Sequence, residues 1–165
     1  MDKEQFILIV KQYANLLYKV CHSYCANSND HPDLEQEILM QLWLAIPRYD
    51  GRVKMSTWIY KIAINTAISF YRKERKRTDI NEEVYLTLQT DNYNPEIDEQ
   101  IEQLYRFIAQ LNDLDKALML LYLEDTKYSD IADVLGISES NVATKINRIK
   151  NKLKTQFKTS PYGHR

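Results

Sequence analysis

The sequence predicts an all-α protein made of two small helical domains, and three observations lead to this fold class. Only three of the 165 residues are Gly. Leu, Ile, Lys, Glu and Gln, which favour helices, are abundant. Apolar residues recur at spacings of three and four almost throughout the chain, as in amphipathic helices. A chain of this length has room for one domain or two small ones.

The helical period divides the chain into segments. We predict helices over residues 3–26, 33–47, 56–77, 96–110, 113–123, 128–135 and 138–157. Between them, residues 78–95 mix Asp, Asn, Glu and Thr without a sustained period, which indicates a linker. The predicted organisation is therefore a helical domain over 1–77, a linker over 78–95, a second helical domain over 96–158 and a tail over 159–165.

Composition excludes several classes of protein. An apolar fraction of 44% argues against wholesale disorder, a collagen-like repeat or a disulfide scaffold. No apolar run approaches the roughly 20 residues that span a bilayer, and the N-terminus lacks the basic start and cleavage site of a signal peptide. We expect a soluble cytoplasmic protein without membrane insertion.

Two cysteines, Cys21 and Cys25, lie one helical turn apart, with His22 and His31 nearby. Zinc binding is conceivable there, but a structural zinc site needs four ligands at paired spacings and the sequence offers one pair. The favoured interpretation is a pair of small buried thiols in a reducing compartment.

The formal net charge of −1 hides a strong segregation of charge along the chain. Residues 1–51 carry 4 basic and 7 acidic side chains, and residues 52–77 carry 8 and 1. Residues 78–126 carry 2 and 12, and residues 127–165 carry 8 and 3. Two basic blocks thus flank an acidic one. Such blocks usually form solvated faces or tails, so their meaning depends on whether they lie on ordered amphipathic helices.

The first basic block lies on the predicted helix 56–77, where a helical wheel separates two apolar flanks from one polar strip. The strip carries Lys61, Asn65, Arg72, Arg75 and Lys76, and Trp58 lies on it too. An aromatic beside cations can stack on an exposed base while the cations hold phosphates. A Trp packed at a helix start is the equally weighted alternative. The basic, Gly-hinged loop 48–55 before this helix could receive an extruded base.

The second basic block contains a helix-turn-helix pattern. Ala132 is small where two helices cross, Gly136 permits the positive φ that ends the first helix, and Val142 anchors the second helix against the first. Ser138 is the predicted N-cap. The face left free by the buried stripe carries Ser140, Asn141, Thr144, Lys145, Arg148 and Lys152. We predict that this face reads the major groove of DNA, although structural helix pairs share the same geometry.

Upstream, Asp33 stands three residues before Gln36, which resembles a capping box with Asp in place of Ser or Thr. This pattern predicts that Asp33 caps the second helix.

The motifs together resemble a known family. Asp33-Leu34-x-Gln36-Glu37, Leu42-Trp43, Tyr49-Asp50-Gly51 and the run from Ser56 to Asn65 look like region two of the sigma-70 family. Tyr122-Leu123-Glu124, the run from Ile131 to Glu139, and Val142 look like region four. With only these two regions in 165 residues, the chain resembles an RNA polymerase sigma factor of the extracytoplasmic-function type.

The resemblance implies roles for individual residues. It implies that one set docks on the largest subunit of the polymerase, namely Asp33, Leu34, Gln36 and Glu37. It assigns Trp58, Lys61 and Asn65 to the helix that faces the minus-ten element, with Arg72 and Lys76 further along the same strip. Met55 falls in the loop that pockets a flipped base. The face from Ser140 to Arg148 corresponds to the helix that reads the minus-thirty-five element.

The implied partners are core RNA polymerase and promoter DNA, and an anti-sigma factor is a possible third partner. We expect no catalytic residue, cofactor or metal. The main alternative is a dimeric helix-turn-helix regulator that binds two-fold operators without joining the polymerase. A small helical nuclease or hydrolase is less favoured because the sequence lacks clustered His and carboxylates for a metal site.

Overall fold

The computed structural model describes residues 1–25, 28–75 and 95–159. The predicted acidic linker and C-terminal tail lie outside these residues, except for Pro95 and Thr159, which are in helices. The described residues form only helices, which confirms the all-α prediction. Eight of them are α-helices: α1 (Lys3–Gln12), α2 (Ala14–Tyr24), α3 (His31–Ala45), α4 (Met55–Arg75), α5 (Pro95–Ala109), α6 (Asp113–Leu123), α7 (Tyr128–Leu135) and α8 (Glu139–Thr159). Short 3₁₀ turns at Ser28–Asp30 and Ile46–Arg48 flank α3.

The prediction of a single helix over residues 3–26 is wrong, because the helix is interrupted at Tyr13. This residue has φ −108° and ψ 17° and separates α1 from α2. Backbone hydrogen bonds continue on both sides of the break, from Tyr13 N to Ile9 O and from Leu17 N to Tyr13 O. The apolar period runs across the break, so the pattern did not reveal it.

The predicted cap at Asp33 is also wrong. The helix α3 begins two residues earlier, at His31, and Pro32 occupies its first turn, where the missing N–H of proline costs no hydrogen bond. Asp33 therefore lies inside the helix. The chain instead forms a capping box at Asp2, whose Oδ1 accepts from Gln5 N at 2.8 Å while Gln5 Oε1 accepts from Asp2 N at 3.3 Å.

The N-terminal half of the chain (α1 to α4) and the C-terminal half (α5 to α8) share one hydrophobic core. A single cluster of buried side chains runs from α2, α3 and α4 into α6, α7 and α8. A smaller cluster joins α5 to α6 and α8 through Phe107, Ile108, Met119 and Ile149. The helix α4 packs against α2 and α3 and also against α6 and α7. This double packing explains why the sequence of α4 has two apolar flanks.

Polar contacts also cross between the halves. The Tyr24 hydroxyl donates a hydrogen bond to the backbone oxygen of Asp113 at 2.8 Å. The Lys116 ammonium lies 5.3 Å from the centre of the Tyr24 ring, a cation–π arrangement. Lys19 forms an ion pair with Glu124. Burial, with the Glu124 carboxylate as a secondary cause, raises the pKa of the Tyr60 hydroxyl above its usual value.

Both cysteine thiols are buried, as predicted. Burial, together with the charge of Glu35 and the neighbouring Cys25, raises the pKa of Cys21 to about 12. The Tyr71 hydroxyl donates to Cys25 Sγ at 2.8 Å. In the described part of the chain, no three His, Cys, Asp or Glu side chains come together as a metal site would require.

Candidate nucleic-acid interface

The polar strip of α4 faces solvent. Lys61, Asn65 and Arg72 are exposed, while the flanking positions are buried or half-buried. The fully buried flank residues are Ile59, Tyr60, Ala63, Ile64 and Ala67. The strip is narrow because helices cover α4 on two sides. Lys76, the last predicted residue of the strip, lies outside the described residues.

Trp58 is partly packed at the start of α4. Its side chain is half-buried, and its ring centre lies 5.3 Å from that of Tyr49 at an interplanar angle of 56°. The Tyr49 hydroxyl in turn donates to the backbone oxygen of Val53. Trp58 therefore packs against the preceding loop and the core and remains partly accessible to solvent. Met55, the first residue of α4, is likewise half-buried and packs against the core.

The loop before α4 is held by local contacts. Gly51 adopts a positive φ of 75°, a conformation that a side chain disfavours. Asp50 accepts a hydrogen bond from Arg52 N at 3.1 Å and pairs with the Arg52 guanidinium at 3.1 Å. Arg48, Arg52 and Lys54 remain exposed. The loop thus adds positive charge next to Trp58.

The predicted helix-turn-helix geometry is confirmed over α7 and α8. Gly136 ends α7 with φ 67° and ψ 35°, and its N–H donates to Ala132 O at 2.8 Å. Ser138 Oγ accepts from Asn141 N at 3.2 Å, as an N-cap does. Val142 is completely buried, together with Ile131, Ile146 and Ile149. These contacts determine which face of α8 remains free.

That free face carries the side chains that the sequence predicts. Five of the six are exposed and Lys145 is half-buried: the exposed ones are Ser140, Asn141, Thr144, Arg148 and Lys152. Thr144 Oγ1 donates to Ser140 O at 2.9 Å, and the hydroxyls of Ser138 and Ser140 lie 3.2 Å apart. Small polar groups therefore occupy the N-terminal end of α8 and cations follow, which suits a helix that enters the major groove.

A carboxylate that the sequence pattern missed lies beneath the cations of α8. Asp115 is buried in the first turn of α6, with Lys145 and Arg148 each 3.9 Å from one of its oxygens. No sequence signal links Asp115 to residues thirty positions away, because the pairing depends on how α6 packs on α8.

The predicted polymerase-docking residues of α3 do not all face solvent. Asp33 and Gln36 are exposed, and Glu37 is half-buried and accepts from Gln41 Nε2 at 3.2 Å. Leu34 has 0% exposure. Its side chain therefore cannot touch a partner in this structure and instead holds α3 in the core.

Sequence reasoning also missed an apolar surface on α3. Met40, Trp43 and Leu44 follow the acidic residues along the helix and are all exposed. The Trp43 ring packs edge-on against Phe6 of α1, with centres 5.0 Å apart. Exposed large apolar side chains near one another are a common mark of a protein-binding surface. Their helical spacing alone favoured burial, so the pattern did not predict this exposure.

Two family models match the chain, in the order that its motifs predict. Sigma-70 region 2 matches residues 9–77, and Sigma-70, region 4 matches residues 101–153. The chain belongs to the sigma-70 family, in its extracytoplasmic-function group. The helices α2 to α4 thus lie within the region 2 match, and α6, α7 and most of α8 lie within the region 4 match.

Curated relatives of this sigma factor span nearly its whole length. It is 26% identical to the ECF RNA polymerase sigma factor SigW of Bacillus subtilis, over 95% of this chain and 91% of that protein. It is 28% identical to the ECF RNA polymerase sigma-E factor of Haemophilus influenzae, over 94% of this chain and 89% of that protein. The relatives are sigma factors rather than catalytic enzymes, and this favours sigma-factor function over a dimeric regulator.

Solved structures share the fold of this sigma factor. The sigma factor RpoE of Bartonella quintana, in complex with the anti-sigma factor NepR, superposes with a TM-score of 0.74 at 18% identity, over 95% of this chain and 99% of that one. CnrH in complex with the cytosolic domain of CnrY gives a TM-score of 0.68 at 16% identity, over 96% of this chain and 91% of that one.

Among the described helices, none has the length and apolar character needed to span a membrane.

Proposed function

We propose that this sigma factor binds core RNA polymerase, directs it to specific promoters and promotes promoter melting without catalytic residues of its own. The observation that carries the proposal is the presence of two exposed cationic helix faces in one chain, one in each matched region. We assign residues 1–77 to polymerase and minus-ten binding and residues 96–158 to minus-thirty-five binding. The linker 78–95 and tail 159–165 complete the proposed organisation, and the site of action is the cytoplasm.

The proposed minus-ten surface consists of the exposed strip of α4 and the loop before it. Lys61, Asn65 and Arg72 would contact the DNA backbone and bases, and Trp58 and Met55 would receive an unpaired base; Lys76 extends the proposed strip. The half-buried state of Trp58 supports this role, because one packed side keeps the ring in place while the other can stack. Capture of an extruded base would offset an unstacking cost of a few kcal/mol without covalent chemistry.

The proposed minus-thirty-five surface is the free face of α8. Ser140, Asn141 and Thr144 lie where such helices meet base edges, and Lys145, Arg148 and Lys152 lie where cations meet phosphates. The N-cap at Ser138 and the buried Val142 support the proposal, since they keep this face turned outward.

The proposed polymerase-docking surface is the exposed side of α3. Asp33, Gln36 and Glu37 supply its polar part. Met40, Trp43 and Leu44, which are exposed on the same helix, are proposed as its apolar part. Leu34 contributes only by holding the helix in place. An anti-sigma factor is a further proposed partner, supported by the solved structure of RpoE in complex with the anti-sigma factor NepR.

We infer that the two packed halves separate when the chain binds a promoter. The minus-ten and minus-thirty-five elements are about 25 base pairs apart, which is roughly 85 Å at 3.4 Å per base pair. The helix α4 is only about 32 Å long at 1.5 Å per residue and packs directly on α7. Two surfaces this close cannot reach both elements together. Polymerase binding would separate the halves and hold both near one duplex. Once one half has bound its element, the other half would then be at high effective concentration near its own.

Reconstitution with core RNA polymerase and a promoter library tests the proposed function. We expect stable holoenzyme and transcription from a small subset of promoters. The variant Trp58→Ala should abolish opening, measured by permanganate reactivity of unpaired thymines, and a template melted in advance should restore transcription. A full loss on both templates would instead indicate a folding defect. Failure of the wild-type chain to bind core polymerase would sink the proposal.

A further inference from the structure

Asp115 is a buried carboxylate for which the proposed function has no use. It lies in the first turn of α6 and is 4% exposed. Its N–H donates to Asn112 Oδ1 at 2.9 Å, and the Asn112 amide donates back to Asp115 Oδ2 at 3.1 Å. Its Oδ1 accepts no hydrogen bond from the residues that the structure describes. A buried charge that lacks full hydrogen bonding requires a countercharge nearby.

The countercharges come from the proposed DNA-reading helix. Lys145 Nζ lies 3.9 Å from Asp115 Oδ1, and Arg148 Nη2 lies 3.9 Å from Asp115 Oδ2. The two cations are three residues apart and share one face of α8. The Lys145 side chain is 21% exposed and that of Arg148 is 56% exposed. Each cation is therefore close to the carboxylate and still reachable from solvent.

We infer that Asp115 restrains these two cations and thereby weakens the sequence-independent binding of the chain to duplex DNA. A DNA phosphate and the Asp115 carboxylate compete for the same positive charges. Because Asp115 is buried, it cannot recover its hydration when a phosphate draws a cation away. The inference rests on the proposed function, in which α8 lies against duplex DNA. Asp115 is thus a positioning residue that acts through Lys145 and Arg148.

The salt dependence of binding tests this restraint in the full-length chain. The probe is a fluorescent duplex of random sequence, and its affinity is measured by anisotropy from 50 to 300 mM salt. In Asp115→Asn the released cations should steepen the log–log slope by about one and tighten binding at low salt. The matched control is Asp133→Asn, which removes one charge from an exposed position on α7. Equal steepening in both variants, or weaker binding by Asp115→Asn, would overturn the inference.

A second pair of variants leaves Asp115 in place, in case its replacement unfolds the chain. Lys152 is exposed on the same face of α8 and has no carboxylate partner among the described residues. Lys145→Gln should reduce the slope by clearly less than Lys152→Gln, because Asp115 already restrains Lys145.

Failure of the Asp115 restraint can be distinguished from failure of the proposed function. Equal slopes for Lys145→Gln and Lys152→Gln, with a salt-dependent wild type, would overturn this inference alone. A wild-type affinity that does not change with salt would contradict both the proposed DNA contacts and the restraint.

Discussion

The two helices proposed to face DNA, α4 and α8, differ in what determines their exposed face. The helix α8 buries one stripe, which includes Val142, Ile146 and Ile149, and most of its other described side chains are exposed. The helix α4 lies between α2 and α3 on one side and α6 and α7 on the other. The proposed DNA-facing side of α8 therefore depends on its own helix-turn-helix. The narrow strip of α4 depends on the packing of both halves of the chain.

Replacing residues of the shared core tests whether the two halves depend on each other, and this test should give the largest effect. Leu34 and Ile146 are fully buried in opposite halves of one cluster. Each replacement by Ala should lower the free energy of unfolding by about 2–5 kcal/mol. Both Trp residues, Trp43 and Trp58, lie in the N-terminal half, so Trp fluorescence follows that half while circular dichroism follows the whole chain.

Because the core is continuous, Ile146→Ala should shift the urea midpoint seen by Trp fluorescence as much as the midpoint seen by circular dichroism. Leu8→Ala, at a 67% exposed position, is the control and should change stability by less than about 0.5 kcal/mol. A fluorescence midpoint that Ile146→Ala leaves unmoved would show that the halves unfold independently.

The two positive-φ glycines allow the loops before α4 and α8 to be compared directly. A Cβ at Gly51 or Gly136 would meet no atom within 4 Å, so replacement by Ala adds backbone strain without a clash. We expect each Ala variant to lose about 1 kcal/mol of stability in urea unfolding. Gly136→Asn should lose less, because Asn tolerates this conformation better. An Ala variant as stable as the wild type would show that the loop relaxes.

The hydrogen bond between the halves should make a contribution of similar size. Tyr24→Phe removes the donor to the Asp113 backbone oxygen, and we expect a loss of about 1 kcal/mol in urea unfolding. Tyr18→Phe is the matched control on the same helix, since Tyr18 is 41% exposed and its hydroxyl has no hydrogen bond within the described residues. If the two Phe variants unfold at the same urea concentration, the bond does not stabilise the packing of the halves.

The smallest expected effect is a pH dependence that originates at His31 in the N-terminal half. Burial lowers the pKa of His31 below its ordinary value of 6.5, and the Glu35 carboxylate only partly opposes this. The folded chain thus prefers neutral His31. The stability that neutral His31 contributes is fully present above pH 6.5. It falls as the pH drops below this value, because the unfolded chain takes up the proton more readily. His31→Gln should reduce the decrease in the urea midpoint between pH 7.5 and 5.5, and an unchanged decrease would contradict the assignment.

Much of the C-terminal half could be predicted from local sequence signals. The bounds of α6 and α7 agree with the predicted segments 113–123 and 128–135. Gly136 and Ser138 act through their own backbone and side chain, so short-range reasoning is sufficient for them. The N-terminal half was less predictable. Its helix break at Tyr13 and the start of α3 at His31 depend on packing and on Pro32, which the apolar period does not record.

The candidate site divides in the same way. The exposed polar residues of α4 and α8 follow from helical periodicity, because a buried stripe leaves the opposite side free. Periodicity could not show that Leu34 is buried while Trp43, on the same helix, is exposed. That outcome depends on which neighbouring helices cover α3.

The amino-acid sequence by itself determined the helical class, the helix-turn-helix and the family, because periodicity, caps and motifs act over a few residues. Only the tertiary structure decided three further features: the core shared by both halves, the contact of Tyr24 with Asp113, and the position of Asp115 beneath Lys145 and Arg148. Each joins residues far apart in the chain. Such contacts form only when whole helices pack, and no local pattern encodes which residues then meet.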